Sequence, residues 1–148
     1  MARALHSVIS EIVEVTPDPL DLATAALKAL SHAARVRILA MLRQGGLCVC
    51  QVASVLDAPL STASEHLGEL RRAGLLDERR QGRWVTYSLI VRGELQDLLG
   101  PVWRLVAEDP LVLRDARRVR KLRRLPVAGR PGGRCAAPKG LPGPSRAR

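Results

Sequence analysis

Residues 61–90 read STASEHLGELRRAGLLDERRQGRWVTYSLI, and the period of their apolar positions changes partway along. Up to Gly74, Ala63, Leu67 and Leu70 recur at spacings of three and four, which places them on one face of a helix. Thr62 and Glu65 stand at capping-box spacing, Pro59 offers a competing start as the first helical residue, and Gly74 supplies a stop. Past Gly74 the period drops to two. WVTYSL alternates, and Gln81-Gly82 is a turn between two extended runs, so this half predicts a β-hairpin.

Working outward, CVCQVASVLD precedes the helix as a short helical segment from Cys48, with Val49, Val52, Ala53 and Leu56 apolar and a turn at Ala58-Pro59. Before it, SHAARVRILAMLRQGG predicts a helix capped by Ser31, striped by Ala34, Ile38, Leu39 and Leu42, and stopped at Gly45-Gly46. DLATAALKAL predicts another, capped by Asp21 or Thr24. On the far side, RGELQDLLGPVWRLVAE carries Leu95, Leu98, Leu99, Val102 and Val106 on one side, with Pro101 expected to kink or split it. The chain thus divides into an N-terminal extension (1–20), a folded domain (21–110) and a basic, Gly/Pro-rich tail (111–148), disordered from about Leu125. Helix, helix, short helix, turn, helix, hairpin, helix is a mainly α fold with one small hairpin. It is the order of a winged helix-turn-helix, in which the second helix of the pair enters the DNA major groove.

Composition narrows the function. The net charge is +10, but residues 1–113 carry 12 Lys and Arg against 13 Asp and Glu. The excess lies in residues 114–148, with 12 basic residues against Asp115 alone, which suits a polyanion such as DNA. With no Phe and only Trp84, Trp103 and Tyr87 as aromatics, the chain lacks the stacking platforms of single-strand binders. No Ser/His/Asp set, phosphate loop or catalytic metal pattern points to an enzyme or an organic cofactor. No targeting signal and no apolar run of about 18 residues is present, so a cytoplasmic protein without membrane contact is expected.

In that reducing compartment, Cys48 and Cys50 read as a metal site or a redox centre rather than a structural disulfide. On a regular helix, residues two apart point about 200° away from each other. Their thiols converge only if Cys48 sits at the cap, outside helical φ/ψ, or if the first turn unwinds. Cysteine caps poorly, so a demand other than helix stability sets its choice there. Exposed N–H groups and the helix dipole at that end favour the thiolate that soft ions bind. Cys135, in the tail, is a candidate third ligand.

On the second helix of the pair, Ser61, Thr62, Ser64 and Glu65 lie off the buried stripe and form the expected groove-facing set, with Arg72 toward the backbone. Arg79, Arg80 and Arg83 flank the hairpin turn and are expected on phosphate or in the minor groove. His66 is beside the stripe and expected to pack.

From about Leu22 to Leu89 the chain resembles the ArsR/SmtB family of winged-helix repressors. The marks are ALKALSHAARVRIL, LCVC at the head of the third helix, LSTASEHLGELRRAGLL and RRQGRWVTYSL, in family order and spacing. The CVC form is similar to the arsenite-responsive repressors and to cadmium- and lead-responsive relatives. The resemblance implies a homodimer on operator DNA, released when As(III), or alternatively Sb(III), Cd(II) or Pb(II), binds Cys48 and Cys50. It places Leu22, Leu27, Leu95, Leu99 and Trp103 of the first and last helices at the dimer surface. Ala53 stands where the arsenite type often has a third cysteine, residues 1–20 have none, and no His lies on the last helix. Pro59, Leu60 and Glu65 also depart from the family's usual residues. An alternative keeps DNA binding and makes the thiols a redox switch without a metal.

Overall fold

The computed structural model describes residues 18–82, 84–90 and 93–125. The elements run α1 (Pro19–Leu30), α2 (Ala33–Leu42), β1 (Leu47–Cys48), α3 (Val49–Leu56), α4 (Leu60–Arg72), β2 (Leu76–Gln81), β3 (Trp84–Leu89), α5 (Glu94–Leu105) and α6 (Pro110–Arg124). This is the winged helix-turn-helix order, with α3 and α4 as the pair and β2–β3 as the wing.

Helix starts differ from expectation by a turn or less. Asp18 caps α1, its carboxylate accepting from the Leu20 N–H at 2.9 Å, and Pro19 takes the first turn. Cap and proline together outweigh Asp21 or Thr24, so residues 18–20 belong to the folded domain rather than to the extension. His32 caps α2, its Nδ1 accepting from the Ala34 N–H at 3.2 Å; the Ser31 hydroxyl instead donates to the Lys28 carbonyl at the end of α1. Pro59, extended at ψ 149°, holds the cap of α4, so the Thr62–Glu65 box is not used. Gly74 ends α4 at φ +76°, letting the Leu75 N–H reach back to the Leu70 carbonyl at 3.0 Å. Helix α5 passes through Pro101 without being split.

Ile38, Leu39, Val52, Ala63, Leu67 and Leu70 are fully buried and form the centre of the core. Leu99 joins them at 1% exposure. Its expected place at a dimer surface is therefore wrong: the residue, in the middle of α5, is used inside the protomer. Leu22 and Leu95 also turn inward, both lying against Gly74.

The sheet has three strands in the order β1–β3–β2, all antiparallel. The hairpin was expected; β1 was not. Its two residues pair with the wing strand, Leu47 opposite Tyr87 and Cys48 opposite Thr86.

Helix α6 corrects the expected tail boundary. Residues 111–124 are a capped helix docked on the domain, with Asp109 accepting from the Leu111 and Val112 N–H groups at 2.9 and 3.1 Å. Val112, Asp115, Val119 and Leu122 recur at helical spacing, and the last three are buried. The acid in that stripe is paired. Arg37 on α2 donates to both Asp115 oxygens at 2.6 and 3.1 Å, and Arg114 adds a further bond at 3.1 Å. Residues 126–148 lie outside the described residues.

Removing one member of a buried ion pair strands the other, at a cost of about 3–5 kcal/mol. Asp115→Ala is thus expected to lower unfolding free energy in urea by about 3 kcal/mol. The double change Arg37→Met, Asp115→Leu should recover most of that loss, and a double variant as weak as the single one would contradict this account.

Candidate thiol centre and nucleic-acid interface

Cys48 stands where the chain changes from strand to helix. Its backbone is extended, at φ −87° and ψ 165°, and it is the cap residue of α3. It therefore meets the first of the two conditions under which thiols spaced by one residue can converge. The Cys48 N–H is held by the Gln51 side-chain oxygen at 3.1 Å, the reverse arm of a capping box. The position opposite that arm, usually a hydroxyl, is a thiol, whose sulfur is a weak acceptor. Cys48 is 3% exposed, while Cys50, in the first turn of α3, is only partly buried.

Among the described residues, no cluster of three or more His, Cys, Asp or Glu side chains is placed to hold a metal ion. Two thiols are thus what these elements supply. Cys135 lies outside the described residues. Helix α6 does end beside the centre, however: the Arg123 guanidinium donates to the Gly46 carbonyl at 3.2 Å, two residues before Cys48.

The other end of α3 is gripped by the same helix. Asp57 closes α3 in the left-handed region, at φ 55° and ψ 43°, a conformation in which Asp is tolerated better than most residues. Arg118 donates to the Asp57 carboxylate at 2.6 Å and to the Val55 carbonyl at 3.0 Å. The Arg118 contact holds the Asp57 carboxyl below the usual carboxylate range. Three residues later α4 begins. Sequence reasoning missed Arg118 and Arg123; the Asp109-Pro110 cap and the 112–115–119–122 spacing were the signals for the helix that carries them.

On α4, Ser61, Ser64, Glu65 and Arg72 are exposed and Thr62 is half-buried, all in its N-terminal half except Arg72, which pairs with Glu69. In the wing, Arg79 and Arg80 are exposed but each faces an acid of its own strand, Asp77 at 4.0 Å and Glu78 at 3.3 Å. Arg83 lies outside the described residues. His66, expected in the core, is half-buried at its margin: its ring centroid is 4.5 Å from that of the exposed His32, joining α4 to the cap of α2. Trp103 lies under the Arg43 guanidinium, 5.0 Å from the ring centroid, in an open groove of about 390 Å³ between α2, α5 and α6.

Residues 32–78 match the family model described as "Bacterial regulatory protein, arsR family". The chain belongs to the arsR family. Among similar proteins are a cadmium resistance transcriptional regulatory protein CadC homolog from Staphylococcus aureus, 42% identical over 49% of this chain and 60% of its own length, and the arsenic resistance transcriptional regulator ArsR1 from Pseudomonas putida, 43% identical over 42% and 49%. The chain thus spans about half to three-fifths of these arsR-family relatives. A similar solved structure is the homodimeric winged helix-turn-helix DNA-binding domain Mb0332 from Mycobacterium bovis, a possible ArsR-family regulator, at 29% identity and a TM-score of 0.53 over 64% of this chain and 91% of that one. These arsR-family likenesses are to transcriptional regulators, not to enzymes. Among the described residues no helix is long and apolar enough to cross a membrane.

Burial, then the neighbouring His32 and Arg35, push the His66 pKa below its ordinary value of 6.5, with Glu65 opposing. The unfolded chain consequently binds this proton more readily than the folded one, and stability is lost as pH falls through about 6.5 toward the lower folded value. The urea midpoint should drop between pH 7.5 and 5.5, and the drop should shrink in His66→Gln. An unchanged drop in that variant would place the effect elsewhere.

Proposed function

We propose that the protein is a cytoplasmic, homodimeric repressor that binds operator DNA and is released when As(III), or a related soft ion such as Sb(III), Cd(II) or Pb(II), is held by Cys48 and Cys50. The observation that carries this reading is the place of Cys48: it is at once the last residue of β1 and the cap of α3. Drawing its sulfur toward Cys50 strains that junction in two directions. Through α3 the strain reaches the Asp57 turn and the start of α4, where Ser61, Thr62, Ser64 and Glu65 would face the groove. Through the pairing of Cys48 with Thr86 it reaches the wing strand β3. Both reading elements are biased by one event.

As(III) takes three thiolates, and Cd(II) and Pb(II) take three or four soft ligands. Cys135 is the third ligand in this proposal; the contact of Arg123 with Gly46 supports it, because α6 ends on the side of the thiols. The arsenic and cadmium resistance regulators among the relatives support the ligand class.

The dimer proposed here uses α1 and α5. Leu27 is 56% exposed and Leu105 is 85% exposed, an apolar surface that a lone protomer leaves in water. Leu27→Asp combined with Leu105→Asp should shift the chain from dimer to monomer in sedimentation and weaken operator binding. A variant that stays dimeric would place the interface elsewhere.

The central test is fluorescence anisotropy of the reduced chain on a duplex from its own upstream region, titrated with arsenite, antimonite, Cd(II), Pb(II) and Zn(II). One soft ion should weaken binding by about 100-fold or more, equivalent to roughly 3 kcal/mol of coupling. Cys48→Ser should abolish that response without loss of folding stability, since serine is the better cap. Binding disturbed by oxidants but by no ion would favour the redox switch instead.

A further inference from the structure

The elements assigned to DNA reading carry almost no charge excess. Along α4, Glu65 and Glu69 offset Arg71 and Arg72; along β2, Asp77 and Glu78 offset Arg79 and Arg80. These charges also meet one another directly, as Arg71–Glu78 at 3.4 Å and Arg80–Glu78 at 3.3 Å show. A duplex is bound chiefly by neutralising its phosphates, so the cations that do so must come from elsewhere.

Helix α6 carries seven Arg and Lys residues against one acid, the largest excess of any described element. The seven divide cleanly by face. Arg114, Arg118 and Arg123 point inward or sideways and are occupied by Asp115, Asp57 and the Gly46 carbonyl. Arg117, Arg120, Lys121 and Arg124 are exposed and make no ion pair among the described residues. At about 100° per residue these four fall within roughly a 100° sector, opposite Asp115, Val119 and Leu122. The sole acid of the helix is on the buried side. The location fits as well: Arg118 ties the helix to Asp57, three residues before α4, and the N-terminal end of that helix is the part that enters the groove.

We infer that the outer face of α6, formed by Arg117, Arg120, Lys121 and Arg124, is a phosphate-binding surface that grips the DNA backbone beside the groove occupied by α4. Its partner is duplex DNA, read without regard to sequence. The inner arginines fix the helix in place, and the outer ones supply the charge that the reading elements lack. This inference rests on the DNA-binding reading above and adds a surface to it.

The test compares the full chain with the variant Arg117→Gln, Arg120→Gln, Lys121→Gln, Arg124→Gln on the upstream duplex and on a scrambled duplex of equal length, across a salt series. Both proteins keep residues 125–148, so only α6 differs. The slope of log affinity against log salt should fall in magnitude by about 2–4 units, since each lost contact is worth about 0.9. The loss should be equal on both duplexes, protection of backbone positions flanking the site from hydroxyl radicals should disappear, and thermal unfolding should not shift. An unchanged slope and footprint would overturn the inference. Equal affinity of the parent chain for the two duplexes would instead sink the operator reading, and the slope comparison would still decide the role of α6. A parent chain that binds neither duplex would overturn both.

Discussion

With 1% of its surface exposed, the Asp115 carboxylate must keep cations within hydrogen-bonding reach, and it keeps two: Arg37 from α2 and Arg114 from its own helix. A buried pair of this kind contributes less to net stability than to placement, because an apolar pair of equal volume could replace it at little cost. What it does is set which residues of α6 meet α2 and α3. Shifting α6 by one position would put Arg114 or Ala116 in place of Asp115 and a basic residue in place of each of Val119 and Leu122. From that fixed register follow the two grips on α3, Arg118 at its C-terminal turn and Arg123 beside its N-terminal one. The helix-turn-helix is thus braced by an element that lies outside the stretch, residues 32–78, that matches the family model.

Helix α3 is short, eight residues, and too brief to be stable alone. Its ends are held by neighbours as well as by its own caps. At the front, the backbone must be extended for pairing with β3 and helical one residue later. Cys48 occupies that change of conformation with a side chain that caps weakly. At the back, Asp57 accepts a left-handed backbone, with Arg118 in contact to offset it. A segment held this way at both ends is suited to the part that the proposed function gives it.

The fold was legible where periodicity speaks. The stripe of Ala63, Leu67 and Leu70, the stop at Gly74 and the alternation of WVTYSL each correspond to an element found in place. The extended cap at Cys48 was legible too, from the geometry two closely spaced thiols require. What was hidden had physical reasons. A two-residue strand has no period, and β1 exists only because a distant strand folds beside it, pairing Leu47 with Tyr87 and Cys48 with Thr86. Helix α6 was masked by its own chemistry: arginine dominates its composition, and its buried stripe contains an aspartate where an apolar residue would announce a core. Only the partner, Arg37, makes that aspartate a core residue. Leu99 misled for the opposite reason, since an amphipathic face says that a residue is covered but not by what.

The two thiols of the centre are chemically alike but unequal in access, Cys48 being 3% exposed and Cys50 only partly buried. A reagent arriving from solvent meets Cys50 first. Reaching the second sulfur then waits on an opening of the joint between β1 and α3, whose frequency belongs to the protein and not to the reagent. A reagent that needs both sulfurs would then react as a fast encounter followed by a gated closure. Above a modest concentration of reagent its rate would stop rising, and the plateau would report how often that joint opens.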